Sequence, residues 1–247
     1  MLDIILLTHN NLESTRKCVE ALYQNTLIPF NLTVIDDSTD DTPGYFSHFS
    51  HITSDINYFR PRDVIKSANQ AINIGVKMTQ SDPFVFLINT AIVGKEWLIT
   101  AQKLMEGYKI GLVGFKLVDP ETHKIVDAMG GGIGEPEGNY TFASVAIRVP
   151  WAAVLINRKA LPERGLDEDY YIGFRGVDDT DNCFTIRRRG WKIIYDGYNT
   201  VYHHPSSSNG MTEESWKETN ENCRRFLEKW KDDYYTKNCG ITYDSRI

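Results

Sequence analysis

Two stretches of the chain concentrate side chains able to bind polar ligands or move protons. One is Asp36-Asp37-Ser38-Thr39-Asp40-Asp41-Thr42, and the other is Asp178-Asp179-Thr180-Asp181. A carboxylate accepts a hydrogen bond from a ring N–H and rejects a ring that offers only acceptors. Set beside a hydroxyl, it can also take a proton as a new bond forms. Crowded like charges raise one another's pKa towards the range useful for that task, while a helix N-terminus pulls the other way. Each stretch also has a plainer reading. The first fits a solvated turn in which Asp and Ser cap the next segment, and the second fits an acidic helix start with Asp178 as N-cap. Thr8-His9-Asn10 and His203-His204 add polar groups at the ends of two strand-like runs.

The elements that must hold these groups are set by periodicity. Leu2 to Thr8 is nearly all apolar, the pattern of a strand buried on both faces. From Leu12 to Tyr23, Leu12, Cys18, Val19 and Leu22 recur at helical spacing. Leu32 to Ile35 is a second buried strand that runs into the first acidic stretch. Strand, helix, strand over this length predicts a βαβ unit with parallel strands. Ligands of such sheets bind beyond the carboxyl ends of the strands, which directs Thr8, Asn10, Asp36 and Asp37 to one pocket. Further strands are predicted over 56–59, 83–88, 110–117, 124–126 and 149–156. Helices are predicted over 67–78 and from 178 to Gly190, where glycine stops the helix. A short helix within 43–55 carries Phe46 and Phe49 on one face, with His48 and His51 exposed. Lys192–Tyr195 and Thr200–His204 read as two paired strands. A final helix from Thr212 to about Tyr234 carries Trp216, Phe226, Leu227 and Trp230, and the tail from Tyr235 reads as loosely ordered. Gly130 to Gly134 lacks the strand-to-helix setting of a phosphate cradle and reads as a mobile loop. Arg187-Arg188-Arg189 complements the dipole of the helix it ends.

A strand ending in Thr-x-Asn, a helix, and a strand ending in Asp-Asp-Ser-Thr-Asp-Asp-Thr resemble the opening of the family 2 glycosyltransferases with the GT-A fold. The resemblance continues in order from residue 2 to about 230. It takes in Ile110–Leu117, the Gly165-Leu166-Asp167-Glu168 turn, Tyr170-Tyr171, Asp178-Asp179-Thr180-Asp181 at a helix start, and Asn222, Phe226, Lys229 and Trp230 near the end. It implies a single α/β domain over 1–247, with a mostly parallel mixed central sheet flanked by helices and a C-terminal helix. The half over 1–117 would bind a nucleotide-sugar and the half over 118–247 an acceptor. The implied reaction is an inverting transfer from a nucleoside-diphosphate sugar, UDP-linked, to an acceptor hydroxyl.

By the same resemblance, Thr8, Asn10 and Asn69 line the nucleotide pocket, and Asp36 or Asp37 accepts from the base. Arg60 or Arg62 reaches a phosphate. Asp179 is the general base, with Trp151, Asp178 and Asp181 on the acceptor side. Asn89, Thr90 and His203 or His204 lie by the diphosphate. In the resembling enzymes an Asp-x-Asp motif there binds a divalent cation, manganese or magnesium, that offsets the leaving-group charge. Here Ile88 and Thr90 stand at the acidic positions, and Asn89 and Thr90 offer only neutral oxygens. Three outcomes are open: weak metal binding through Asn89, metal-free catalysis with a cationic side chain in its place, or loss of activity.

Composition narrows the classes. At 247 residues the chain can build one large α/β domain. No run approaches the roughly 20 apolar residues of a membrane span. Without a basic segment and cleavage site before the first strand, no secretory signal is predicted. Cys18, Cys183, Cys223 and Cys239 are scattered and lack metal-ligand spacing, so reduced thiols in a cytoplasmic protein are expected. The net charge of −6 opposes a duplex nucleic-acid partner. Two rivals to the transferase stand: a nucleotide-sugar-binding protein without catalysis, suggested by Ile88 and Thr90, and, ranked last, a transferase acting on nucleic-acid bases.

Overall fold

The computed structural model describes residues 1–49, 56–173, 176–204 and 212–245. Two expectations from the sequence, an exposed His51 and a flexible loop over Pro205 to Gly210 that would serve as a lid over the donor, fall outside the described residues. In chain order the elements are β1 (Leu2–Thr8), α1 (Leu12–Asn25), β2 (Phe30–Asp36), α2 (Thr42–Phe49), β3 (Ile56–Phe59), α3 (Ala68–Met78), β4 (Phe84–Ile88), β5 (Ala91–Val93) and α4 (Leu98–Met105). Then come β6 (Ile110–Val118), β7 (Ile125–Asp127), β8 (Ala143–Ala146), β9 (Ala153–Ile156), α5 (Asp178–Arg188), β10 (Lys192–His203) and α6 (Glu213–Lys229).

One mixed sheet runs in the order β3-β2-β1-β4-β9-β6-β10-β5, with β7 added on β6 and β8 on β10. Strands β3, β2, β1 and β4 are mutually parallel, and Thr8 sits opposite Asp36 at the carboxyl ends. Strand β9 then runs antiparallel to both β4 and β6. The strand period of two divides β1 between two cores. Ile4 and Leu6 join a layer under α1, α2 and α4, while Ile5 and Leu7 join a layer under α3 and α5. Helix α3 comes so close to β1 that a Cβ at Gly75 would overlap the side chain of Ile5. A third cluster, with Val177, Phe184, Phe226 and Trp230, fastens α6 onto α5.

Four expectations are corrected. The runs 192–195 and 200–204 are one strand rather than a pair. Its register against β6 shifts between Asp196 and Thr200, where buried Asp196 accepts from the Tyr198 N–H (3.1 Å) and Asn199 Nδ2 (2.7 Å). The turn-like residues thus make a bulge inside a continuous strand. Helix α6 ends at Lys229, and Trp216 is 55% exposed instead of sitting on the buried face. The tail is held as well: Asn220 and Asp244 exchange two hydrogen bonds, and Cys239 is buried. The glycine loop is likewise tied down: the Gly130 N–H donates to Asp127 Oδ1 (2.7 Å), the Gly131 N–H to the Ala128 carbonyl (2.9 Å) and the Gly134 N–H to the Ile125 carbonyl (2.8 Å).

Candidate active site at the carboxyl edge of the sheet

Beyond β1 the chain turns sharply through Asn10 (φ 56°) and Asn11 (φ 62°), both in the left-handed region that Asn tolerates better than most residues. Asn11 then caps α1 by accepting from the Ser14 N–H at 3.1 Å. The Asn10 side-chain oxygen accepts from the backbone N–H groups of Thr39 (2.7 Å) and Asp40 (3.2 Å). One asparagine therefore ties the first strand end to the acidic loop after the second.

The two neighbouring carboxylates of that loop part ways. Asp36 has no exposed surface and accepts from Thr8 Oγ1 (2.8 Å), the Ser38 N–H (3.0 Å) and Tyr58 Oη (2.5 Å). Arg60 adds Nη1 at 3.4 Å and donates Nη2 to the Ser38 carbonyl at 2.6 Å. Burial, and then the bond to Asp36, push the Tyr58 phenol up to about 12. Asp36 is thus saturated from within. Asp37 keeps 15% of its side chain exposed, with Nδ1 of His9 3.8 Å away.

The sheet carries this edge across to the second acidic cluster through direct contacts. Asn89 donates Nδ2 to the Asn10 carbonyl (2.7 Å) and to Thr15 Oγ1 (2.8 Å). The Ile88 N–H donates to the Ala152 carbonyl at 3.0 Å, and Cys183 on α5 lies against the Val149 carbonyl. From the other face, Asn182 donates Nδ2 to Asn69 Oδ1 at 2.6 Å, joining the start of α5 to the start of α3. Asn69, Ser67 and Asn73 in turn hold the 165–168 turn by its carbonyls. The early and late acidic clusters therefore belong to one continuous edge.

At the start of α5, burial pushes the Asp178 carboxyl up to about 7, and the neighbouring charge of Asp179 pushes the same way. Burial also raises Asp179, against the pull of Arg148 and with a further push from Asp127. Arg148 donates Nη1 to Asp127 Oδ2 at 3.2 Å and Nε to the Cys239 carbonyl at 3.1 Å. Sequence reasoning missed this arginine, because nothing in its local pattern separates it from a surface cation.

A raised carboxyl pKa has a stability consequence. Between about pH 4 and the folded value near 7, the native state holds protons that the unfolded chain has released, so stability falls as pH rises through that window. Asp178→Asn should flatten the fall and stabilise the protein above neutrality by roughly 1–2 kcal/mol, allowing for water that reaches the pair. Urea denaturation at roughly pH 5 and pH 8 reads this, and an unchanged pH dependence would contradict it.

Several residues named from the sequence serve the frame. Asn69 is 1% exposed with both ends of its amide engaged, so it cannot turn to a nucleotide as expected. Trp151 is 6% exposed under α5, its indole N–H 3.4 Å from Cys183 Sγ, so it offers no face for a sugar to stack on. Asp181 is 1% exposed and accepts from Tyr171 Oη (2.9 Å), Trp230 Nε1 (2.6 Å) and Lys229 Nζ (2.9 Å). It anchors α6 rather than an acceptor. His204 turns to Asp119 (3.5 Å) and Glu121 (3.9 Å), while Arg62 stands exposed.

Two of the groups that the resemblance puts by the diphosphate do meet. His203 Nδ1 lies 3.2 Å from Thr90 Oγ1 and 3.4 Å from the Thr90 carbonyl. Burial lowers the His203 pKa, more than the Thr90 carbonyl raises it, which favours the neutral ring. Among the described residues no three His, Cys, Asp or Glu side chains converge on a metal position. The donors around Thr90 are an imidazole, a hydroxyl and an amide whose nitrogen is already engaged. That set does not fit a hard divalent cation.

No known protein-family profile matches the sequence. The chain is 25% identical over 232 residues to the uncharacterized protein y4gI of Sinorhizobium fredii (strain NBRC 101917 / NGR234), covering 85% of this chain and 25% of that one. Among solved structures it is similar to GalNAc-T7 with UDP, GalNAc and Mn2+ (TM-score 0.72, 16% identity, 95% of this chain and 49% of that one). It is also similar to the mannosyltransferase PcManGT from Pyrobaculum calidifontis in complex with GDP-Man and Mn2+ (TM-score 0.72, 15% identity, 97% and 68%). A third neighbour is S. aureus TarS 1–349 in complex with UDP-GlcNAc (TM-score 0.68, 12% identity, 97% and 70%). The chain thus spans about a quarter of its curated relative and about half of GalNAc-T7. The fold is that of the GT-A-like glycosyltransferases: a single α/β domain with a ten-stranded mixed sheet and helices on both faces.

Proposed function

We propose that this chain is an inverting glycosyltransferase that moves a sugar from a nucleoside-diphosphate donor, UDP-linked, to an acceptor hydroxyl. The observation that carries the reading is the joining of two acidic clusters, 142 residues apart from Asp37 to Asp179, along one sheet edge of this fold. Structural neighbours that hold UDP, GDP-Man and UDP-GlcNAc support the donor class.

In this reading Asp37 accepts from the ring N–H of the base, because Asp36 has no capacity left. Asp36 keeps the loop in shape through Thr8, Ser38, Tyr58 and Arg60. The acceptor oxygen attacks the anomeric carbon from the face opposite the diphosphate. As that bond forms and the bond to the diphosphate oxygen breaks, Asp179 takes the hydroxyl proton. Arg148 opposes the rise of the Asp179 pKa and so favours the ionised form that a base needs. Holding both substrates in line supplies much of the rate.

Asp37→Ala should weaken UDP binding about 10- to 100-fold with little change in melting temperature. Asp36→Ala should instead lower stability, since it strands four donors. Calorimetric titration of UDP into both variants separates them, and equal UDP affinity in wild type and Asp37→Ala would overturn the assignment.

A binding protein without turnover is the second reading, favoured by Ile88 and Thr90 at the metal positions of the resembling enzymes. Donor turnover measured with and without manganese decides between them. Turnover that persists in a chelator supports a transferase served by its own side chains, whereas donor binding with no turnover across many acceptors supports the second reading.

A further inference from the structure

At the opposite edge of the sheet, where β4 begins and β9 ends, a cavity of about 440 Å3 opens between the last turn of α3 and the segment 158–165. Its lining includes Lys77, Arg158, Lys159, Arg164 and Arg189 against a single carboxylate, Glu163. That imbalance stands out in a chain whose acidic residues outnumber its Lys and Arg by 33 to 27. The volume lies in the range of small-molecule sites, about 300–1,000 Å3, and exceeds what one phosphate fills.

Arg158 makes the cavity more than a patch of surface lysines. Its guanidinium donates to three uncharged acceptors: the carbonyls of Val76 (2.8 Å) and Ser81 (3.1 Å) and Thr79 Oγ1 (2.9 Å). It also lies over the Phe84 ring, 5.0 Å from the centroid. These bonds fix its position, and the carboxylates of Asp3 and Asp82 act on its charge through space without forming an ion pair with the guanidinium. Among the described residues no carboxylate comes within ion-pair distance of Lys77, Arg158, Arg164 or Arg189, while Lys159 meets Asp82 only at 3.8 Å. Arg189 is pinned by one bond, Nε to the Ala160 carbonyl at 3.1 Å. A fixed, half-buried cation with exposed cations around it is an arrangement that a multiply charged anion completes.

We propose that this cavity binds a ligand carrying two or more phosphate groups, at a site separate from the candidate active site. The two lie at opposite ends of β4, a strand's length or roughly 15 Å apart. The proposal does not rest on the glycosyl-transfer reading, since the cations belong to neither acidic cluster.

The test is titration calorimetry at low salt on the full chain, with inorganic tripolyphosphate and, separately, a glycerol-phosphate diester oligomer. One site is expected, and the tighter of the two probes tells a free polyphosphate from a phosphodiester chain. The exposed pair Lys77→Glu/Arg164→Glu should weaken binding roughly tenfold or more with no change in melting temperature. Lys77→Gln/Arg164→Gln, which carries no reversed charge, should weaken it less. Asp37→Ala and His203→Ala, both at the candidate active site, should each leave it intact. Failure of both probes to bind, binding unchanged in the charge-reversed variant, or loss of binding in Asp37→Ala or His203→Ala would each overturn the proposal. The last result would assign the phosphate to the other edge of the sheet.

Discussion

Asp179→Asn is expected to lower transfer or donor hydrolysis by about two to four orders of magnitude while leaving UDP affinity within a factor of about two. The amide keeps the size and most hydrogen bonds of the carboxylate, including an oxygen able to accept from the Thr180 N–H, as Asp179 now does at 2.5 Å. It cannot take a proton. In the wild type the rate should rise with pH through the raised range of the Asp178–Asp179 pair, because burial favours the protonated form and the base must be ionised. Rate–pH profiles of wild type and Asp127→Asn check this. Without the Asp127 charge that helps to raise it, Asp179 should ionise at lower pH, so the rising limb should move down in that variant. Near-normal turnover in Asp179→Asn would remove Asp179 from the chemistry.

Asp181→Leu should be the most destabilising single change along α5, at roughly 3–5 kcal/mol. It strands the Lys229 ammonium, the Trp230 indole N–H and the Tyr171 hydroxyl, which all converge on one carboxylate with 1% exposure. For a domain of this size the loss corresponds to a fall in melting temperature of about 10 °C or more. Thermal and urea melts read it directly. If Asp181→Leu kept its melting temperature and lost only activity, the residue would return to the acceptor side where the resemblance put it.

The contrast between Asp179 and Asp181 shows what the chain announces and what it withholds. Two residues apart in one acidic run, they are equivalent to any reading by spacing. What separates them is α6, which arrives more than thirty residues later and brings Lys229 and Trp230 to one of the two. Asp36 and Asp37 repeat the case, since only the tertiary placement of Tyr58 and Arg60 saturates the first. The strands and helices are legible because their periodicity is local: β1, β2 and β4 are short apolar runs and α1 an amphipathic one. The bulge in β10 is not legible, because Asp196-Gly197-Tyr198-Asn199 has the composition of a turn and only its pairing with β6 shows that the strand continues. Asn69 and Trp151 read as ligand contacts because polar and aromatic residues near a site look alike in sequence whether they face the ligand or brace what does.

The carbonyl of Cys239 that holds Arg148 Nε belongs to the closing segment of the chain, far in sequence from every residue assigned a chemical role. Trimming the protein after Tyr235, a natural choice for anyone shortening it for expression, would delete that anchor and leave the acidic clusters untouched. A trimmed protein with altered pH behaviour would therefore say nothing against Asp179. It would mean that the residues after Tyr235 set the electrostatic bias of a carboxylate that they never touch.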